Sequence, residues 1–348
     1  MEYLKKLFDD EIDDVKELEV VKGTFELKGE FIRPSEALRE LRTEVYDYAF
    51  QEWRDSREAD LIREADAALE EFDNEDRFDK LVKSFSGGNM TAFVGAGMSY
   101  ESGYPLWGDT LHRLANGSNI SQNDVNELII DGKYEECAQI IYDELTPALF
   151  NEKLEAMFGR MKPAKGPINL LPEMFPNTSL ITTNFDQLIE SVYSHDRYQG
   201  FDIIKTGTDL PEVLRQIAAG TRMLLKIHGH CDKVADRVLL TCEYEKAYKD
   251  EGTVQKFLDK VLFGRSLLFL GCSLYSDRTI QAMQNFIANN DPGHVPRHYA
   301  FVELKDDDNK GEREKFLSTA NVFPIWFGQN QFYLIEAFMT KLKLEAEA

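Results

Sequence analysis

The sequence predicts an α/β protein in which helices cover both faces of a doubly wound, mostly parallel sheet. Two observations lead to this prediction. After about residue 85, apolar runs of strand length recur, and turn residues bound each of them. Helical stretches separate these runs, and strands that alternate with helices are typical of a parallel sheet buried on both faces.

The first 84 residues predict an N-terminal, mainly helical extension. Charge is dense and glycine is scarce in this region, and apolar residues recur at helical spacing over 38–50, 61–72 and 78–85. A helical hairpin or small bundle fits this pattern. We interpret the extension as a packing layer or an oligomer interface, because no group of residues in it indicates chemistry.

Residues 85–348 predict a single Rossmann-like domain. Its expected strands are 91–94, 179–181, 203–204, 223–227, 266–270, 299–304 and 322–327. Its expected helices include 188–193, 211–219, 254–262 and 279–288. Between the first two strands, from about 109 to 174, the patterns are mostly helical and predict a helical insertion.

The charge of the chain argues against direct binding to nucleic acid. The 348 residues include 62 acidic and 40 basic residues, for a net charge of −22. Such a surface repels polyanions and anionic membranes. We therefore expect contact with nucleic acid only through a partner.

The cysteines and apolar runs predict a soluble, cytoplasmic protein. The four cysteines are too few for a disulfide framework in a chain this long, and no two have C-x-x-C spacing, so we expect reduced thiols. The longest apolar run, over 266–274, is far shorter than the roughly 20 residues of a membrane helix. His228, His230, Cys231 and Cys242 fit no zinc spacing, so we expect no metal.

A Gly-Ala-Gly sequence follows the first predicted strand. Gly95, Ala96, Gly97 and Ser99 are suited to a loop whose backbone approaches a pyrophosphate, although a simple tight turn explains the same residues. The dinucleotide pattern G-x-G-x-x-G is not met, because Tyr100 occupies the third glycine position. The sequence therefore disfavours a nicotinamide-dependent dehydrogenase. The next segment, 102–107, is suited to a loop that closes over a ligand, or to a turn.

Polar residues also follow the second predicted strand. Thr182 and Thr183 lead into Asn184 and Asp186, which lie two positions apart and face the same way in extended backbone. Ligands bind at this edge of open α/β sheets. The alternative is that one of these side chains caps the helix that follows.

Two later strands end in a similar way. His228 follows a buried run, beside Gly229, and is suited to act as a general base, although a lone histidine is more often structural. Gly271, Ser273 and Leu274 follow the next run and are suited to contacts with ribose or phosphate. The aromatic strand over 323–328 suits either an adenine wall or core packing.

The order and spacing of these motifs over about 85–330 resemble the sirtuin family. The resemblance implies a Rossmann domain that binds NAD and cleaves its nicotinamide–ribose bond. Asn184 would position a water or the ribose, Asp186 would contact the nicotinamide amide or order that pocket, and His228 would be the base that acts on a ribose hydroxyl. The implied cofactor-binding residues are Gly95, Ala96, Gly97, Ser99, Thr182, Gly271, Ser273 and Leu274.

The departures from protein deacetylases narrow the resemblance. The zinc module with two C-x-x-C pairs is absent, and Thr183 stands where deacetylases usually have Gln. The chain is more similar to the sirtuin-like NADases of bacterial anti-phage defence, which empty the NAD pool of the infected cell. This implies an NAD glycohydrolase with NAD as substrate, a homo-oligomer, and a separate activating protein such as a HerA-type ATPase.

Two other functions remain open from the sequence. The first is NAD-dependent transfer, as an ADP-ribosyl transferase or a deacylase. The second is a non-catalytic sensor of NAD or ADP-ribose. A pure sensor needs neither Asn184 nor His228, so the presence of both disfavours the second.

Overall fold

The computed structural model divides the chain into two compact units, Met1–Ala65 and Asp66–Ala348. The structure describes residues 2–14, 25–27, 30–194, 198–206, 213–249, 252–262, 264–275, 278–290 and 292–347.

The first unit packs its helices around a small aromatic core. Its elements are α1 (Glu2–Asp13), β1 (Phe25–Leu27), β2 (Glu30–Ile32), α2 (Pro34–Leu41) and most of α3 (Thr43–Glu71). Phe8, Tyr46 and Phe50 are buried together, and β1 pairs antiparallel with β2. The hydroxyl of Ser35 donates to Asp13 at 2.9 Å, which fastens the start of α2 to the end of α1.

The second unit contains a sheet and the helices that cover it. Its strands are β3 (Met90–Val94), β4 (Leu180–Thr182), β5 (Ile203–Thr206), β6 (Met223–Lys226), β7 (Ser266–Leu270), β8 (His298–Leu304) and β9 (Val322–Gly328). Its helices beyond the end of α3 are α4 (Glu75–Ser86), α5 (Trp107–Ala115), α6 (Gln122–Ile130), α7 (Tyr134–Glu144), α8 (Pro147–Phe158), α9 (Leu171–Met174), α10 (Leu188–Tyr193), α11 (Val213–Ala218), α12 (Thr241–Tyr248), α13 (Thr253–Leu262), α14 (Arg278–Ala288), α15 (Lys310–Ser318) and α16 (Leu334–Glu347).

The sheet confirms the predicted α/β fold. Among the described residues, its seven strands run in the order β5-β6-β4-β3-β7-β8-β9, and every pairing is parallel. The chain first builds the side that contains β4, β5 and β6, and then crosses β3 to build the side that contains β7, β8 and β9. This reversal creates a switch point beside β3, where open α/β sheets bind ligands.

The predicted helical insertion is present between β3 and β4. It contains α5 to α9 and begins at Trp107, two residues before the expected start. Local signals divide it into short helices. Ser121 and Asp124 form a capping box at the start of α6, and Thr146 caps α8 with Pro147 in its first turn.

The helix α4 packs with the second unit, so the boundary at residue 65 lies before the texture change near residue 85. Phe78 contacts Phe338 at a centroid distance of 6.3 Å. Asn74 donates to the carbonyl of Trp326 at 3.2 Å, and Arg77 pairs with Glu314 at 2.9 Å. The apolar face of α4 is therefore part of the layer that covers the sheet.

The remaining part of the predicted helical extension is dominated by α3, which is 29 residues long and rich in charged residues. Among the residues that the structure describes, no helix combines the length and the apolar character needed to cross a bilayer.

Candidate active site

The register of the sheet brings the predicted motifs to one edge. Val94 pairs with Leu270 on one side and with Thr182 on the other, and Thr182 pairs with Lys226. The strands β3, β4, β6 and β7 therefore end at the same level, because parallel strands keep their carboxyl ends together. The segments that follow them carry all of the predicted site residues other than Thr182, the last residue of β4.

The two glycine-containing loops after β3 and β7 pack backbone against backbone. The amide of Gly95 donates to Leu270 at 2.9 Å, and the amide of Gly97 donates to Gly271 at 2.9 Å. A Cβ on Gly271 would lie 2.4 Å from the amide nitrogen of Met98, and φ at Gly271 is +67°. The glycines are therefore required for the contact between the loops, and two of the loop amides are already paired within the protein.

Asn184 fastens the loop after β3 to the end of β4. Its side-chain amide donates to the carbonyl of Gly95 at 3.0 Å and to the hydroxyl of Ser99 at 3.1 Å. Its backbone amide donates to the hydroxyl of Thr182 at 3.0 Å, and that hydroxyl donates to the carbonyl of Val94 at 2.8 Å. Both Asn184 and Thr182 are buried, and the hydroxyl of Thr182 bonds to Val94 and Asn184 within the edge of the sheet.

Asp186 is held in the same buried network and also caps a helix. Its carboxylate accepts the amide of Leu188, the first residue of α10, at 3.0 Å. Burial raises the pKa of this carboxyl, although the Leu188 amide, the Lys226 ammonium and Ser99 oppose the rise. The fully buried Lys226 donates to the carbonyl of Asp186 and pairs with Glu190 at 2.9 Å. The capping alternative therefore applies to Asp186, without removing it from the site.

His228 lies in an aromatic pocket at the end of β6. Its side chain is 6% exposed. Its Nε2 lies 2.8 Å from the hydroxyl of Tyr248, and Tyr244 contacts the ring edge-on at a centroid distance of 5.3 Å. Its Nδ1 is buried and has no hydrogen-bond partner among the described residues. Burial lowers the pKa of His228 to about 3, so the ring is neutral at physiological pH.

A cavity of about 390 Å³ lies at this edge, within the range of small-ligand sites. Helix α7 of the insertion and the start of α14 contribute to its wall, and Arg278 pairs with Glu135 across it at 2.7 Å. Six predicted residues line this cavity: Gly95, Ala96, Gly97, His228, Gly271 and Ser273.

A second, much smaller cavity of about 10 Å³ adjoins the first. Ser99, Asn184 and Asp186 line it, and Ala96 and Trp107 line both cavities. The ring of Phe185 contacts Trp107 edge-on at 5.6 Å. The segment 102–107 therefore ends at the boundary between the two cavities.

Two predicted residues, Thr182 and Leu274, line neither cavity in the part of the chain that the structure describes. Thr182 is engaged by Val94 and Asn184, as given above. The side chain of Leu274 is buried in the main hydrophobic core, and its φ is +53°. Ser273 lines the cavity, and its carbonyl accepts from Arg313 at 2.9 Å.

Several lining residues escaped the sequence analysis. They are Glu135 on α7, Tyr244 on α12, Arg278 and Thr279 on α14, and Glu303 and Lys305 at and after the end of β8. Helix α12 was not predicted, although Tyr244, Ala247 and Tyr248 have helical spacing. Its apolar pattern is confined to eight residues, which is too short to stand out.

A group of potential metal ligands follows His228. Within the described part of the chain, His230, Cys231 and Asp232 bring a nitrogen, a sulfur and a carboxylate oxygen within 4.8 Å of one another. His230 Nδ1 lies 2.7 Å from the Asp232 carboxylate. Cys242, which the sequence analysis weighed with them, is exposed on α12 and is not in this group.

A family model described as a SIR2-like domain matches residues 178–325. This part of the chain is similar to a SIR2-like domain. This match confirms the resemblance to sirtuins that the motifs indicated. It includes Asn184, Asp186, His228 and Gly271, whereas the Gly95–Gly97 loop and the helical insertion lie before the matched residues.

Two curated proteins are similar to parts of this chain. It is 26% identical over 226 residues to "Defense-associated sirtuin 2" of Bacillus subtilis, covering 62% of this chain and 21% of that protein. It is 27% identical over 203 residues to "NAD(+) hydrolase ThsA" of Enterococcus faecium, covering 56% of this chain and 40% of that protein. The chain thus spans about a fifth of the length of the first relative and about two fifths of the length of the second.

The buried histidines make the stability of the second unit sensitive to acid. Burial lowers the pKa of both His228 and His298 to about 3, whereas unfolded histidine titrates near 6.5. Below about pH 6.5 the unfolded chain therefore binds protons that the folded chain does not, and each histidine lowers the free energy of unfolding by up to about 1.4 kcal/mol per pH unit.

We expect His298→Gln to give a shallower loss of stability than the wild type between pH 6.5 and pH 5. Urea unfolding at a series of pH values measures this difference. Equal slopes in the two proteins would contradict the expected neutral, buried state of His298.

Proposed function

We propose that the chain is an NAD glycohydrolase that cleaves NAD to nicotinamide and ADP-ribose. The observation that carries the proposal is the convergence of the glycine loops, Asn184 and His228 on one cavity system at the switch point of the sheet. The names of the two relatives, a defence-associated sirtuin and an NAD(+) hydrolase, support it.

The two cavities suit different parts of the substrate. We place the adenosine and diphosphate in the larger cavity, against Gly95, Gly97, Gly271 and Ser273, which offer backbone or small side chains. Release of nicotinamide leaves a cationic ribose. The nicotinamide–ribose bond therefore has to lie where a water is positioned and the cation is shielded. We assign that place to the side of the cavity between His228 and Asn184.

In this proposal His228 is the base, and Asn184 and Asp186 order the nicotinamide side. The glycosidic C–N bond breaks, a C–O bond to water forms, and the water proton leaves through the base. The products are nicotinamide, ADP-ribose and one proton.

The smaller cavity indicates that the site described here is a resting form. A space of about 10 Å³ cannot hold a pyridine ring. For nicotinamide to contact Asn184 or Asp186 inside it, this cavity has to widen, and Trp107 lines both cavities and contacts Phe185. An opening of this kind is the step on which an activating partner would act.

We further propose that the enzyme works in the cytoplasm as a homo-oligomer in anti-phage defence, and that a separate protein such as a HerA-type ATPase triggers it. All four cysteines are free thiols, which fits a reducing compartment. Leu41, Val45 and Tyr48 are exposed within eight residues of each other in the first unit, and exposed apolar surface of this type is often covered by a protein partner.

The test is NAD consumption by the purified chain, alone and with the protein encoded beside it, with products identified by mass. We expect equal amounts of nicotinamide and ADP-ribose. Intact NAD that nevertheless binds would instead favour the sensor, and ADP-ribose attached to an acceptor would favour the transferase.

A further inference from the structure

Tyr248 engages one of the two ring nitrogens of His228. Its hydroxyl lies 2.8 Å from Nε2 of His228, and the same hydroxyl lies 3.2 Å from Oγ1 of Thr279. Tyr248 ends α12, and Thr279 is in the first turn of α14. Two helices therefore hold a chain of three polar groups, from the imidazole through the phenol to the threonine hydroxyl.

The other ring nitrogen of His228 is unsatisfied among the described residues. Nδ1 is shielded from solvent and has no hydrogen-bond partner there, although His228 lines the large cavity. A buried polar atom without a partner costs about 1–3 kcal/mol, and such atoms are retained where a ligand satisfies them.

The direction of the hydrogen bonds follows from which arrangement leaves fewer buried N–H and O–H groups without an acceptor. If Tyr248 donated to Nε2, the proton of the neutral ring would lie on Nδ1, as a buried N–H without a partner. If Nε2 donates to Tyr248, and Tyr248 donates to Thr279, the protons of the ring and of the phenol both have acceptors, and only a lone pair on Nδ1 is left. Buried unpaired N–H groups are the rarer of the two.

We propose that Tyr248 is a positioning residue, which accepts a hydrogen bond from Nε2 of His228 and so leaves Nδ1 as the nitrogen that takes the proton during cleavage. This proposal rests on the function proposed above. When the attacking water gives a proton to Nδ1, the ring becomes an imidazolium, and the Nε2–H bond to Tyr248 is retained and strengthened. The proton then leaves with the products, so the overall reaction still releases one proton.

The test reads the ring nitrogens of His228 directly, by long-range ¹H–¹⁵N spectra of the full chain labelled at its six histidines. The His228→Gln variant assigns the signals. In the wild type we expect a protonated Nε2 and an unprotonated Nδ1. In Tyr248→Phe and in Thr279→Val we expect both nitrogens to shift toward a mixture of tautomers, because the acceptor or its orientation is lost.

Tyr193→Phe is the control, because the hydroxyl of the buried Tyr193 donates to the carbonyls of Leu171 and Phe175, and Tyr193 is not among the described lining residues of either cavity. This variant loses a buried hydroxyl without touching His228, so its His228 signals should match those of the wild type. A wild-type ring protonated on Nδ1, or a Tyr248→Phe spectrum like that of Tyr193→Phe, overturns the proposal.

Cleavage kinetics give the second readout. We expect Tyr248→Phe to lower kcat by roughly tenfold, with little change in KM. A positioned base contributes ~10²- to 10⁴-fold, and the loss of its positioning residue removes part of that effect. An unchanged kcat would overturn the proposal. If even the wild type leaves NAD intact, the proposed function fails, while the nitrogen spectra still decide the tautomer.

Discussion

Replacing His228 by Gln is expected to lower the rate of NAD cleavage by at least about a hundredfold, because a positioned base contributes ~10²- to 10⁴-fold. Gln has a similar reach and can still donate to Tyr248, so the aromatic pocket around the side chain keeps its shape. It has no basic nitrogen to take a proton. The expected loss is therefore in kcat, with NAD affinity close to that of the wild type.

His298→Gln is the matched control for this substitution. His298 is as buried as His228, and its Nδ1 accepts the amide of Leu267 at 3.0 Å inside the sheet. The substitution removes a buried imidazole, and His298 is not among the described residues that line either cavity. Kinetics and melting temperatures of the two variants separate the loss of a base from the loss of stability. Equal losses of activity in both variants would mean that His228 acts only through stability.

The second large effect is expected for Gly271→Ala. The new Cβ would lie 2.4 Å from the amide nitrogen of Met98, so the loops after β3 and β7 have to separate. The left-handed backbone costs roughly 1–2 kcal/mol for a residue with a Cβ, and forced repacking costs a further ~1–3 kcal/mol. We expect both a lower free energy of unfolding and a loss of cleavage in the protein that remains folded.

Gly88→Ala isolates the backbone part of this effect. Gly88 has a φ of +72°, close to that of Gly271, and a Cβ there would have no atom within 4 Å. Urea unfolding should show that Gly271→Ala is the more destabilising of the two, and only Gly271→Ala should impair cleavage. Equal destabilisation would show that the contact between the loops is not tight.

The strands could be predicted because a fully buried parallel sheet needs continuous apolar segments. All seven expected strands are present, and the helix expected at 188–193 matches α10 (Leu188–Tyr193). The helix expected at 211–219 appears as α11 (Val213–Ala218), and its first two expected residues lie outside the described residues.

The candidate site was only partly predictable, because its contacts join distant segments. The sequence indicated that Asn184 follows a strand, but the use of its amide to hold Gly95 depends on the register between β3 and β4. The partnership of His228 with Tyr248 depends on where the short helix α12 packs. The turn that buries Leu274 has a positive φ at a leucine, for which the residue type gives no signal.

NAD turnover in water enriched in ¹⁸O, by the full chain alone and with the protein encoded beside it, tests directly whether water is the nucleophile. A glycohydrolase forms a new bond between the ribose and water, so the account predicts nicotinamide release with one ¹⁸O in each ADP-ribose, and far less of both with His228→Gln. Release of nicotinamide without ¹⁸O in the product, or NAD that stays intact while bound, would contradict it.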